Sequence, residues 1–143
     1  MTNAWRWMSG LVATTMFGCS TTSGPCESVG AIDGEWTYEA TQESPVPASI
    51  RGSMVITSRI CSDFQGSLDA VEVLATGESR RVSGFVSGTM LDSSLFRFEA
   101  VIAGDAREHL ARMRSDSIAG DWVESANGLA RSGRFGGKRM GGS

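Results

Sequence analysis

Along this chain a glycine repeatedly precedes a bulky apolar residue by two positions: Gly34-Glu-Trp36, Gly52-Ser-Met54, Gly66-Ser-Leu68, Gly84-Phe-Val86, Gly120-Asp-Trp122 and Gly133-Arg-Phe135. In an extended chain, residues two apart point to the same face. A side chain missing beside a large one relieves crowding on that face and lets the strand bend sharply. The spacing predicts strands coiled around a crowded interior.

The segments between these glycines alternate with the period of a strand. Trp36, Tyr38 and Ala40 point one way from a strand over residues 31–41. Met54 and Ile56 do so over 50–60. A third strand opens at Phe64, but its phase fails: Val71 and Val73 are apolar in a register Leu68 does not share. Either a bulge shifts the pleat or a turn near Asp69 splits the segment, and the bulge is preferred. Val82 and Val86 line a fourth strand, and Phe96, Phe98 and Ala100 a fifth. His109, Ala111 and Met113 line a sixth over 107–114. Glu108, Leu110 and Arg112 also favour a helix there, but the segment is short and has no room for caps. Ile118, Gly120 and Trp122 line the seventh strand, and Gly133 and Phe135 the eighth. Thr76-Gly77, Asp92 to Ser94, Gly104-Asp105, Ser115-Asp116 and above all Asn127-Gly128 supply the turns.

Eight short antiparallel strands in up-and-down order, with one apolar face, can remove their free edges by closing. The expected fold is all-β, a small barrel over residues 31–139, with a frayed tail at 140–143. This pattern resembles the calycin-type barrels, the lipocalin and avidin group, whose first strand carries Gly-x-Trp as Gly34-Glu-Trp36 does here. Gly120-Asp-Trp122 echoes it. The resemblance implies a cup that takes a small apolar molecule. No residue beyond Gly34 and Trp36 carries over.

The N-terminus gives a second expectation. Arg6 precedes a modest apolar run from Trp7 to Phe17, too short to span a bilayer, and Gly18-Cys19 ends it. Residues 1–18 resemble a bacterial lipoprotein signal, which implies that Cys19 becomes a lipidated first residue and anchors the chain to a membrane. An ordinary secretory signal, or a disordered N-terminus with a chance cysteine, is the alternative. Residues 19–30 are small and polar, suited to a flexible tether. Cys26 and Cys61 then remain as an even pair, which in an exported chain reads as a disulfide. It would close a loop of about 35 residues and contribute roughly 3–4 kcal/mol. In a cytosolic chain the same two residues would be free thiols. The expected address is the bacterial cell envelope, on the periplasmic or surface side of a membrane.

Little catalytic chemistry is visible. His109 is the only histidine, and no Cys-x-x-Cys or His-x-x-x-His spacing exists, so no metal site is expected. The Gly-x-Ser-x-Gly elbow and the phosphate-loop lysine are missing, so no cofactor is expected. A net charge of −3 argues against a nucleic-acid partner. Arg131, Arg134, Lys138 and Arg139 form a mild basic end, either a solvated strand or a contact for anionic headgroups. Glu35, Glu39, Asp121 and Glu124 are scattered acids, three of them on the solvent face. Trp36, Tyr38, Phe98, His109 and Trp122 are the candidate ligand-binding residues. The expectation is a non-enzymatic binding barrel for a small apolar ligand or an envelope partner. The alternative is a structural or interaction protein with a packed interior.

Overall fold

The computed structural model describes residues 32–58 and 60–141. Every regular element among them is a strand: β1 (Gly34–Ser44), β2 (Ala48–Ser58), β3 (Asp63–Leu74), β4 (Ser79–Met90), β5 (Leu95–Ile102), β6 (Asp105–Arg114), β7 (Ser117–Ala126) and β8 (Leu129–Lys138). Each pairs antiparallel with its neighbour in sequence, and β1 pairs with β8 to close the cylinder. The segment with helix-favouring residues is strand β6, because His109, Ala111 and Arg107 have a buried face to fill.

The spacing of glycines has a direct steric cause. A Cβ on Gly66 would lie 1.9 Å from the Val55 carbonyl oxygen, and one on Gly133 would lie 1.7 Å from that of Thr41. Neighbouring backbones approach so closely there that no side chain fits. The bulky residues two positions on, Leu68 and Phe135, fill the interior beside them. Buried aromatic and aliphatic side chains from all eight strands form one continuous core.

Turn chemistry follows the backbone. Asn127 and Gly128 take φ of 52° and 76°, as a two-residue hairpin turn requires. The turn expected at Gly104-Asp105 lies one residue earlier: Ala103 and Gly104 carry the positive φ values, 53° and 92°, and Asp105 already belongs to β6. In the turn before β5, Asp92 Oδ1 accepts the backbone N–H groups of Ser94 and Leu95 at 2.7 and 2.6 Å.

Strand β3 corrects the expected phase change. It runs unbroken from Asp63 to Leu74, in register with β2 and β4 throughout, with neither bulge nor turn. Phe64, Leu68, Ala70 and Glu72 face inward, while Val71 and Val73 face solvent. Apolar character misled because an inward position holds a carboxylate with partners of its own. The irregularity lies elsewhere, between Gln42 and Ser44, where β1 shifts register against β8. The chain is also still paired at Met140, the first residue of the expected tail, whose N–H donates to the Glu35 carbonyl at 2.8 Å.

Candidate functional site

The meander puts the β1–β2, β3–β4, β5–β6 and β7–β8 turns at one end of the barrel, and both ends of the domain at the other. The two ends are chemically different.

At the four-turn end the register places charges of opposite sign side by side. Glu72 faces Arg80, Arg107 faces Glu124, and Glu124 faces Arg131. Glu72, Arg107 and Glu124 are inward and 1–2% exposed. Arg107 Nε donates to Glu124 Oε2 at 2.5 Å, and Arg107 Nη2 stands 3.7 Å from Glu72 Oε1. Arg80 donates to Glu72 from the rim, and Arg131 Nη1 lies 3.3 Å from Glu124 Oε1. The Arg131 contact is an ion pair without hydrogen-bond alignment, so Glu124 Oε1 has no hydrogen-bond partner. Arg107 Nη1 has none either. The Arg107 guanidinium lies over the Trp122 ring, 4.9 Å from its centroid.

Deeper in, His109 stacks on Phe98 with ring centroids 4.1 Å apart and meets Phe135 edge-on at 4.9 Å. Its Nδ1 is 3.0 Å from the Arg107 carbonyl, and its Nε2 is 2.9 Å from the Tyr38 hydroxyl. A carbonyl only accepts, so Nδ1 carries the proton and the Tyr38 O–H donates to Nε2. Burial is the main reason that the His109 pKa falls to about 3, and the nearby Arg107 charge adds to it. Burial likewise pushes the Tyr38 hydroxyl above its usual range. Both groups are neutral at ordinary pH.

The far end is closed by Trp36. Its indole N–H donates to the Ile32 carbonyl at 2.9 Å, and the Arg139 guanidinium lies 4.3 Å from the ring centroid. Arg139 also donates to the Asp33 carbonyl.

Of the ligand candidates, then, Tyr38, Phe98 and His109 come together, with Phe135 beside them. Trp122 is the register partner of His109 and donates its indole N–H to the Thr41 carbonyl at 3.2 Å. Trp36 stands apart at the other end. All are buried in the core. Glu72 and Arg107 were missed in the sequence, and Arg139 was placed only in the mild basic end. The signal for the first two was an alternation in which Glu72 and Arg107 keep the inward phase of Ala70 and His109. Cys19 and Cys26, with the whole expected signal and tether, lie outside the described residues. Cys61 follows β2 in an exposed turn at φ 59°.

Glu35, Glu39 and Asp121 are exposed as expected, and Glu124 is the buried fourth acid. The basic end is not one patch: Arg131 serves Glu124, Arg134 faces Asp121, and Arg139 covers Trp36. Two concavities lie on the outer wall. One, of about 810 Å³, crosses β3 to β7, and another, of about 710 Å³, lies over β1, β2, β7 and β8.

No protein-family model matches this chain, and neither does any curated protein. Solved structures do. A redesigned beta barrel is 13% identical, with a TM-score of 0.63, over 80% of this chain and all of its own. EF1p2_mFAP2b bound to DFHBI is 14% identical, with a TM-score of 0.61, over 76% of this chain and 93% of its own. What they share with this chain is the barrel. The S-type phycobiliprotein lyase CPES from Guillardia theta shares it too, at 11% identity and a TM-score of 0.56, over 78% of this chain and 90% of its own. At these identities the likeness is one of fold.

Proposed function

We propose that this chain is a non-enzymatic binding barrel of the bacterial cell envelope that takes a small, mainly apolar molecule through its four-turn end. The observation that carries this reading is the Arg107 guanidinium, buried over Trp122 with Nη1 unpartnered. A buried donor left unpaired is costly, and a ligand bearing one acceptor would satisfy it while its apolar body meets Trp122, Phe98 and Tyr38. Related support comes from the neighbours of like fold, two of which are bound to DFHBI. The sole histidine is held between Tyr38 and a carbonyl, which leaves it poorly placed for proton transfer to a substrate.

The envelope address rests on the N-terminal segment: a signal over residues 1–18, lipid on Cys19 and a tether to residue 30. A bridge from Cys26 to Cys61 belongs to the same exported-chain reading, with Cys61 in an exposed turn after β2. Cys19→Ser should release the protein from membranes, and continued membrane association would exclude the anchor.

A second reading, a barrel with no ligand, draws on the tight burial of Trp36, Tyr38, Phe96 and Trp122, each 0–1% exposed. An apolar fluorophore separates the two. Saturable binding that Trp122→Ala alters supports the ligand site. No binding by the folded protein would favour the packed barrel.

A further inference from the structure

Directly opposed charges in this barrel are otherwise complementary. Glu39 faces Arg51 and Asp121 faces Arg134, as in the three buried or rim pairs above. Glu99 and Glu108 break the pattern. They are register partners across β5 and β6, both on the solvent side. Like charges so placed destabilise a sheet. Neither carboxylate is joined to a basic side chain among the described residues. A local rule broken with no compensation inside the fold suggests a surface shaped by something outside it.

The pair sits in the outer concavity of about 810 Å³ over β3 to β7. Leu110 and Val123 flank it, 53% and 52% exposed. Asp63 and Asp121 add two carboxylates, and Arg97 is the one arginine among its lining residues. The Asp121–Arg134 contact is 3.7 Å long with both side chains 78% exposed, so it offsets little of that charge.

The geometry points to this groove as the docking site for a partner-protein segment that carries lysine or arginine beside an apolar residue. This choice rests on the signal reading above: with residues 1–18, which carry Arg6, removed, residues 19–31 ahead of the barrel contain no basic residue. A second copy would bring its own net charge of −3 to this acidic groove.

The test is fluorescence anisotropy of the full-length protein with a labelled peptide of alternating lysine and leucine. The peptide binds saturably and more weakly as salt rises. Glu99→Gln with Glu108→Gln weakens it about tenfold, an energy of about 1.4 kcal/mol. Leu110→Ser, which leaves every charge in place, weakens it several-fold. Glu35→Gln with Glu43→Gln, on β1 outside the groove, leaves it unchanged. Equal weakening by the β1 pair would reduce the effect to net charge and overturn the proposal, as would absence of peptide binding. Displacement of the peptide by calcium alone would also overturn it, making the groove a cation site.

Discussion

The Tyr38 hydroxyl and His109 Nε2 lie 2.9 Å apart in the barrel interior, and the phenol donates to a histidine that burial holds neutral. This pair makes stability depend on pH in a defined direction. The unfolded chain takes up a proton on His109 near its ordinary pKa of 6.5, while the folded chain does so only near 3. The contribution is therefore fully present above pH 6.5 and is lost as pH falls through that window, by roughly 1.4 kcal/mol per unit. Tyr38 has the opposite sign: its raised pKa leaves stability intact below pH 10 and reduces it above. Urea unfolding at pH 6.5 and pH 5 should show a loss of about 2 kcal/mol in the native chain. His109→Gln should show little change across the same window.

Arg107 lies between two buried carboxylates, and removing it leaves Glu72 with Arg80 alone and Glu124 with the Arg131 ion pair alone. Arg107→Met should destabilise the fold by about 3–5 kcal/mol, as expected when one partner of a buried ion pair is removed. Replacing Glu72, Arg107 and Glu124 together with apolar residues of similar volume should recover most of that loss. Chemical denaturation of the two variants at pH 7 checks both statements.

How far the sequence disclosed this fold can be judged at particular residues. The strands, their order and closure were legible because Trp36, Tyr38, Phe96, Phe98 and Phe135 keep strict alternation, and Asn127-Gly128 admits few other turns. β3 was not legible. Alternation was sought in apolar residues, and Glu72 broke it at an inward position while Val71 and Val73 were exposed. Buried charges satisfied across strands carry no hydrophobic signal, and their partners lie on other strands: Arg80 across the β3–β4 turn and Arg107 on β6. Arg139 over Trp36 was hidden for the same reason.

The Arg139 contact links the end of β8 to the start of β1. Arg139→Ala should cost about 1–2 kcal/mol from lost cation–π contact and stem packing. Trp36→Ala, which opens a cavity in the core, should cost about 3–5 kcal/mol. Thermal unfolding ranks the two, and equal losses would mean that Trp36 is held mainly by its guanidinium neighbour.

The Glu99–Glu108 repulsion predicts a stabilising substitution. Glu108→Lys turns a like-charge pair into a complementary one and should raise stability by about 0.5–1 kcal/mol at low salt. The gain should shrink as salt rises. A melting temperature that falls would indicate that Glu108 has a structural role in the native chain.

The ligand site is tested most directly by two-dimensional amide and side-chain NMR during titration with an apolar fluorophore. Saturable shifts of the Trp122 indole N–H, the Arg107 guanidinium N–H and the amides of Phe98 and His109 are the expected result. Shifts absent altogether, or confined to outer-wall residues such as Leu110 and Val123, would contradict an internal binding site.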